Sequence, residues 1–388
     1  MKLFGREFKF RNPSQVDIVI FDETNNELVR KSINKLFSVS VFNQRKQATI
    51  FISFKVILNF FQNLGYSKIK NSFELRQGIT VGILHNLRLI YYKSCLDAMK
   101  PKAVVTYIDN SPNFGWLSKN CKDYPLIGIQ NGSRLSYAAC KGYYVQHLFC
   151  YGEHEKDLFP KIGYNVENFY PSGSLVASLH FDQQLQLKKE IYDLLIVSTW
   201  RGNIGFQQDV KDTMNSMKIM DQLLARYIQT KNIKAAIILR SEKNSKDWVM
   251  PEIKKSEEDY FKNIYGESAD IIETDFSSRN IFPLMQKSKV VISCLSSALL
   301  EAFGIGKKIL YCNFTGTNLY HSDIDSDLVT KKSNWLDFSK LLDNLFEQDQ
   351  DDYQKINKYK MNYYMSFPSD LSTQKFISNK IDEIIERS

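Results

Sequence analysis

The chain has 388 residues, about 2.6 times the ~150 residues of a typical domain, so we expect two domains. Hydrophobic residues make up 43% of it and aromatic residues 13%, which supplies packed cores and excludes a disordered chain, a collagen or a coiled coil. The net charge of +8 favours an anionic ligand or an anionic membrane surface. Because this charge forms no stripe along the sequence, we expect no nucleic-acid binding.

Cysteine usage and the apolar runs favour the cytoplasm. The six cysteines include no C-x-x-C pair, and charges interrupt the apolar character of Met1 to Lys9, so no signal peptide is expected. The longest apolar run, Phe51 to Phe61, is about half the ~20 residues that a spanning helix needs. We therefore expect a cytoplasmic protein that at most touches the inner membrane peripherally.

Taken in chain order, the first half predicts two early strands, a long helical segment and three further strands. The predicted strands are residues 17–21, 38–42, 102–109, 125–130 and 147–151, and the predicted helical segments are 54–96 and 114–120.

The second half alternates more regularly between apolar β-rich runs and amphipathic segments. The predicted strands are residues 192–198, 234–240, 270–273, 289–294 and 308–312, with helices at 214–228, 257–265, 281–286 and before Gly304 or Gly306. The acidic stretch 347–352 is interpreted as a solvated loop, and a terminal helix is predicted within 370–388.

This alternation predicts an α/β fold of two Rossmann-like domains with parallel sheets. We place an N-terminal domain at 1–175, a C-terminal domain at 190–365 and a helix at 366–388 that packs back on the first domain. Ser, Gly and Gln cluster in the joining segment, residues 172–189.

The strongest local motif follows the strand predicted at 289–294. Ser296 and Ser297 fall where a helix N-cap belongs, and the free N–H groups of that first turn can hold a phosphate. Glu301 lies about one turn further on, where its carboxylate can accept hydrogen bonds from ribose hydroxyls. An ordinary serine cap beside a surface glutamate explains the same pattern equally well.

Four segments together resemble a known family. Ser296 to Lys308 resembles the donor-site motif of GT-B glycosyltransferases, and Thr106–Asn110, Ile129–Gly132 and Pro171–Ser174 resemble bacterial surface carbohydrate biosynthesis proteins of the GT-B type. The resemblance runs from about residue 102 to residue 314.

The resemblance implies two Rossmann-like domains facing a cleft, with a nucleotide-sugar donor held by the C-terminal domain and a glycan or lipid-linked glycan acceptor by the N-terminal one. It makes Ser296, Ser297 and Glu301 donor contacts. Related epimerases and polyol-phosphate transferases often carry His-Gly where this chain has Asn131-Gly132, so the resemblance supplies no general base at this position. The expected activity is transfer of a sugar to a cell-surface glycan of the lipopolysaccharide or capsule type. A polyol-phosphate transferase, a sugar-nucleotide epimerase and a non-catalytic glycan-assembly protein stay open as alternatives.

Two arginines follow predicted strands of the second domain at the edge where such sheets bind ligands. Arg201 and Arg240 are candidates to grip the phosphates of the donor, although a solvated arginine or an internal ion pair fits each position as well.

The first domain offers candidates for the acceptor side. Asp109 ends a strand and is a candidate general base, Asn131 is expected to face the acceptor or the reacting carbon, and Glu153 with His154 forms a second candidate pair. A capping or turn role is the alternative for Asp109.

Metal and membrane contacts have less support in the sequence. Asp323-Ile-Asp325 matches an Asp-x-Asp pattern but is interpreted as a polar loop, so no cofactor and no metal requirement are expected. Basic and aromatic residues mix in Phe4 to Arg11 and in Phe51 to Lys70, which fits an anionic bilayer surface or, alternatively, aromatic core residues with basic solvent faces.

Overall fold

A computed structural model describes residues 2–3, 6–44, 49–67, 79–134, 142–181, 190–200, 208–242, 251–317, 320–321 and 323–388. The chain divides into two compact units. Unit 1 comprises the chain up to Gly132, the segment that ends at Ser178, and Phe367–Ser388; most of unit 2 is Leu179–Ser366.

Among the residues that the structure describes, unit 1 has nine strands in two sheets. The strands are β1 (Lys2–Leu3), β2 (Arg6–Lys9), β3 (Ile18–Phe21), β4 (Val39–Phe42), β5 (Thr49–Phe51), β6 (Ala103–Thr106), β7 (Leu126–Ile129), β8 (Tyr144–Cys150) and β9 (Asn165–Pro171). Six of them form a parallel sheet in the order β4-β3-β6-β7-β8-β9, and β1, β2 and β5 form a separate small sheet.

The helices of unit 1 pack on the parallel sheet, and one of them is formed by the last segment of the chain. They are α1 (Asn26–Lys31), α2 (Phe54–Asn63), α3 (Ile79–Met99), α4 (Pro112–Asn120), α5 (His154–Leu158) and α13 (Thr373–Glu386), and α6 (Leu175–Phe181) follows β9. The terminal helix α13 is fixed to unit 1 because the Thr373 hydroxyl donates to the carbonyl of Ser172 at 3.0 Å and Asn34 donates to Asp382 at 2.9 Å.

The described part of unit 2 forms one parallel sheet of six strands in the order β12-β11-β10-β13-β14-β15. The strands are β10 (Tyr192–Val197), β11 (Ala235–Glu242), β12 (Ala269–Thr274), β13 (Ser288–Ser293), β14 (Lys308–Cys312) and β15 (Val329–Thr330). The helices are α7 (Gln208–Lys231), α8 (Pro251–Tyr265), α9 (Ile281–Gln286), α10 (Ala298–Gly304), α11 (Trp335–Glu347) and α12 (Gln350–Tyr364).

The central strands of each parallel sheet are buried on both faces, which explains why they are continuously apolar rather than alternating. Ile18 to Phe21 in unit 1 and the last four residues of β10 in unit 2 are fully or almost fully buried. The prediction of an α/β chain with two parallel sheets is confirmed.

One local prediction is wrong, and another is made more detailed by the structure. The helical material predicted at 54–96 includes α2, which ends at Asn63 and leads into a short 3-10 turn, and α3, which begins at Ile79. The acidic stretch 347–352 is not a simple loop, because Asp349 accepts hydrogen bonds from the N–H groups of Asp351 and Asp352 and so caps α12.

Candidate functional site

The motif at the end of β13 builds a turn at the carboxyl edge of the unit 2 sheet. Ser297 is the N-cap of α10, and its hydroxyl makes no capping hydrogen bond. Ser296 turns back on the chain instead: its Oγ accepts from the N–H of Ala298 at 3.3 Å, and its carbonyl accepts from Leu299 at 3.2 Å. The expectation of free N–H groups in this first turn is therefore wrong for Ala298 and Leu299, whereas the half-buried Ser297 hydroxyl makes no capping bond to this turn.

Glu301 lies on α10 one turn after Ser297, as its spacing predicts. Its side chain is nine-tenths buried, so this carboxylate is not an ordinary surface glutamate. Burial raises the pKa of the Tyr311 hydroxyl, and the negative charge of Glu301 raises it further. The Glu301 carboxylate therefore lies close enough to Tyr311 to influence its ionisation. The Tyr311 hydroxyl donates to the carbonyl of Ser296 at 3.0 Å and so fixes the turn.

His321 contacts the same region and was not selected by the sequence motifs. Its Nε2 donates to the carbonyl of Cys294 at 2.8 Å, and burial lowers the pKa of the ring to about 4, so the imidazole is neutral at physiological pH. Its buried Nδ1 finds no hydrogen-bond partner within the part of the chain that the structure describes. In the sequence this residue is a histidine in a polar loop, and nothing in the local pattern indicates that it contacts the end of β13.

A buried carboxylate organises the neighbouring strand ends of unit 2. Glu257 on α8 accepts from the Ser198 hydroxyl at 2.6 Å, from the N–H of Arg240 at 2.8 Å and from the N–H and hydroxyl of Ser241 at 3.0 and 2.5 Å. These bonds fix the carboxyl ends of β10 and β11 next to each other. Sequence reasoning missed Glu257 because a glutamate on an amphipathic helix is usually a solvated residue.

Of the two candidate arginines, Arg240 lies where the sequence predicts it. Its side chain is exposed at the end of β11 and donates through Nη1 to the carbonyl of Trp200 at 3.0 Å, directly after β10. Arg201 lies outside the described residues. Beside Trp200, the buried Thr199 hydroxyl and the indole Nε1 of Trp200 lack hydrogen-bond partners among the residues that the structure describes.

Lys308, the last residue of the segment Ser296 to Lys308, has a structural role at the opposite edge of the sheet. Lys308 begins β14 and donates to the carbonyls of Leu345 and Gln348, at the end of α11. This lysine therefore caps a helix, as cations near a helix carboxyl end do.

In unit 1, Asp109 and Asn131 are brought together at the carboxyl ends of β6 and β7. The Asp109 Oδ1 accepts from the backbone N–H of Asn131 at 3.1 Å, and the Asn131 amide donates to Asn110 at 3.3 Å. Tyr164 donates to the carboxylate of Asp109 at 3.1 Å and to its carbonyl at 2.8 Å. Asp109 is 1% exposed, so this carboxylate holds the two loops in place whatever further role it has.

Glu153 and its neighbour Glu155 have very different surroundings. Glu153 is exposed and pairs with Lys156 at 2.6 Å. Glu155 is 1% exposed and accepts from the Gln130 amide at 3.1 Å and from the N–H of Gly152 at 2.9 Å. Burial raises the pKa of Glu155, a residue that the sequence analysis did not select.

In the Asp323-Ile-Asp325 sequence, Asp325 is engaged in a local hydrogen bond and an ion pair. Asp325 accepts from the N–H of Asp327 and pairs with Lys360 at 3.0 Å, which lowers its pKa although its partial burial opposes this. Within the described ranges no group of three or more His, Cys, Asp or Glu side chains is arranged to hold a metal ion. Metal independence stays a prediction.

No protein-family model and no curated protein sequence matches this chain. Solved structures do match. Staphylococcus aureus MnaA in a co-structure with UDP has 13% identity and a TM-score of 0.51, with 95% of each chain covered. The wall teichoic acid polymerase TagF soaked with CDPG has 11% identity and a TM-score of 0.51, with 96% of this chain and 89% of that chain covered. A UDP-N-acetylglucosamine 2-epimerase has 12% identity and a TM-score of 0.51, with coverages of 97% and 98%.

These likenesses show the fold. The chain shares the GT-B fold of these structures, and the predicted resemblance is confirmed for the fold. The residues that the sequence singled out fall into two sets. Ser296, Ser297, Glu301 and Arg240 lie at the carboxyl edge of the unit 2 sheet, and Asp109 with Asn131 lies at the carboxyl edge of the parallel sheet in unit 1.

Proposed function

We propose that this protein is a glycosyltransferase that moves a sugar from a nucleotide-activated donor to a growing cell-surface glycan at the cytoplasmic face of the membrane. One observation carries the proposal: Ser297 and Glu301 stand one helical turn apart at the carboxyl edge of a doubly wound sheet, with a hydroxyl free of capping and a carboxylate nine-tenths buried. Ligands of such sheets bind at this edge. The proposal gains support from GT-B structures solved with UDP and with CDPG.

On the donor side, Ser297 and Ser296 contact the phosphates and Glu301 accepts hydrogen bonds from the ribose hydroxyls. Arg240 supplies positive charge at the same edge, where a guanidinium stabilises the leaving nucleotide as negative charge develops on it. The exposed position of Arg240 leaves its guanidinium accessible to a ligand. Arg201 is proposed for the same role from its place in the sequence.

On the acceptor side, an acceptor hydroxyl must lose its proton as it attacks the anomeric carbon. We assign this step to Asp109, whose carboxylate is held by Asn131 and Tyr164. Asn131 faces the acceptor or the reacting carbon. Glu153 is the weaker candidate because its carboxylate is exposed and paired with Lys156.

A sugar-nucleotide epimerase is the second candidate. The UDP-N-acetylglucosamine 2-epimerase matches along nearly its whole length, with 98% of that chain covered, so this chain lacks no large part of that architecture. An epimerase needs no acceptor and changes the donor itself. The polyol-phosphate transferase alternative is supported by the match to TagF with CDPG and differs by the phosphate that enters the product.

The reaction is tested by following nucleotide-sugars with the purified protein by NMR, first alone and then with a membrane extract as acceptor source. Release of nucleotide together with a new glycosidic bond that depends on the acceptor supports the transferase. A new sugar epimer that forms without an acceptor overturns it in favour of the epimerase, and phosphate in the linkage overturns it in favour of the polyol-phosphate transferase.

A further inference from the structure

Helix α2 in unit 1 presents its apolar face to solvent. Phe54, Ile57, Leu58 and Phe61 are 83%, 45%, 46% and 64% exposed. Their spacing of three and four residues places them in one stripe along the helix. A stripe of this kind normally faces the core of a globular protein.

The opposite, more polar face of α2 attaches the helix to the protein. Lys55 Nζ donates to the carbonyl of Ala98 at 3.1 Å, and the Asn59 amide donates to the carbonyl of Ser94 at 3.1 Å. The buried Asn63 donates to Asp97 at 2.8 Å. The orientation of an ordinary amphipathic surface helix is therefore inverted, with hydrogen bonds towards α3 and large apolar side chains towards water.

The exposed stripe continues past the amino end of α2 onto the small sheet. Phe10 and Ile52 are 67% and 37% exposed, and the two backbones meet where the N–H of Ile52 donates to the carbonyl of Lys9 at 2.9 Å. We call these two residues and the four on α2 the apolar stripe. Of the two explanations that the sequence left open for this region, aromatic core residues do not describe the stripe.

A basic side chain lies next to the amino end of the apolar stripe. Arg11 is exposed directly after Phe10, and the described residues 49–67 include no aspartate or glutamate. Lys55 lies on the opposite face of α2, where it donates to Ala98. The nearest acidic residue of β2, Glu7, already pairs with Lys9 at 3.2 Å. A surface of bulky apolar side chains with basic neighbours complements anionic lipid headgroups over an acyl layer.

We infer that the apolar stripe docks this protein on an anionic lipid bilayer, with Phe54 and Phe61 inserted at the boundary between headgroups and acyl chains. A second copy of the chain is the less suitable occupant. One face of a ten-residue helix is about 15 Å long and offers less than the ~800 Å² that each partner of a stable dimer buries. A two-fold contact would also bring like charges together.

The inferred membrane contact is argued from the apolar stripe alone, whereas the acceptor class that it implies rests on the proposed function. Docked in this way, unit 1 meets its acceptor at the bilayer surface, so the acceptor class becomes a lipid-linked glycan. Within the described ranges no helix is long and apolar enough to cross a bilayer.

The test is flotation of the full chain with vesicles of phosphatidylcholine alone and of phosphatidylcholine with an equal part of phosphatidylglycerol. We expect binding to the anionic vesicles, weaker binding to the neutral ones, and a loss of at least about tenfold in affinity in the double variant Phe54→Ser/Phe61→Ser. Arg11→Gln should weaken binding to anionic vesicles only. A matched control, Phe276→Ser/Leu336→Ser, removes two side chains of unit 2 that are 62% and 78% exposed and should bind as the wild type does.

Two results would overturn the inference. One is equal vesicle binding by the wild type and the α2 double variant, or no binding by either. The other is a wild-type dimer that becomes monomeric in the α2 double variant without vesicle binding, which assigns the stripe to a second copy. Calorimetry with the soluble nucleotide donor separates this test from the proposed function, because the α2 double variant should keep wild-type donor affinity.

Discussion

The carboxylate of Glu257 accepts a hydrogen bond of 2.6 Å from the hydroxyl of Ser198. Through this bond and those from Arg240 and Ser241, one helical side chain fixes the carboxyl ends of two neighbouring strands. The edge of the sheet that is proposed to hold the donor therefore depends on a buried charge.

Removing this charge should destabilise the protein. We expect Glu257→Gln to cost about 3 kcal/mol, because donors aligned on a buried carboxylate lose a charged acceptor, and to lower the melting temperature by roughly 6–12 °C. The matched control is Glu258→Gln, which removes the adjacent, partly exposed partner of Lys262 and should cost less than about 1 kcal/mol. Equal melting temperatures for the two variants would contradict the role of Glu257.

Glu301 is expected to determine donor affinity rather than stability. In Glu301→Ala the ribose hydroxyls lose their acceptor, and we expect nucleotide affinity measured by calorimetry to fall by about tenfold to a hundredfold. Glu258→Ala serves as the control and should bind nucleotide as the wild type does. Unchanged affinity in the Glu301 variant would remove this residue from the donor site.

Asp109 is tested by separating its chemistry from its hydrogen bonds. Asp109→Asn keeps the shape of the side chain but cannot take a proton, so turnover should fall by roughly a hundredfold or more while donor affinity stays unchanged. Tyr164→Phe removes only a hydrogen bond to the carboxylate and should reduce turnover less. If both variants lose the same modest factor, Asp109 is a positioning residue and not the base.

The raised pKa of Asp221 predicts that the stability of unit 2 depends on pH. Burial raises its pKa to about 7, although Tyr260 and Tyr265 each donate to it at 2.8 Å. The native state therefore holds a proton between about pH 4 and pH 7 that the unfolded state releases, so this contribution to stability is lost as pH rises through that window. Asp221→Asn cannot release a proton. Its melting temperature should improve relative to the wild type between pH 5 and pH 8, and parallel curves would contradict the assignment.

Gly173 is expected to hold the terminal segment against unit 1. Its φ of +73° is strained for other residues, and a Cβ at this position would collide with the ring of Phe367. We expect Gly173→Ala to cost about 1–3 kcal/mol and to increase hydrogen exchange in α13. Wild-type exchange in α13 would contradict the coupling, and Gly65→Ala, where a Cβ meets no atom within 4 Å, is the control.

Local sequence patterns predicted the central strands well because those strands are buried on both faces. The strand β9 was missed because its residues, Asn165–Pro171, lie at an edge of the sheet and are mostly polar or partly exposed. The helices α11 and α12 were also missed. Asp and Lys interrupt their apolar residues, and the capping Asp349 lies within an acidic stretch that is typical of loops.

The candidate site was predictable only where residues follow one another along the chain. The order of Ser296, Ser297 and Glu301 is fixed by one strand and one helix, so it could be read directly. Glu257 meets Ser198 across 59 residues of sequence, and His321 reaches Cys294 across 27. Such contacts depend on tertiary packing, and the local patterns of one sequence do not reveal them.

The most direct test of the central claim is calorimetric binding of UDP, GDP, CMP, ADP and dTDP to the folded wild-type protein. The account predicts selective binding of one nucleotide that raises the melting temperature, since a ligand of the native state stabilises it. Absence of binding across the whole panel, in protein whose cooperative unfolding shows that it is folded, would contradict the proposed donor site.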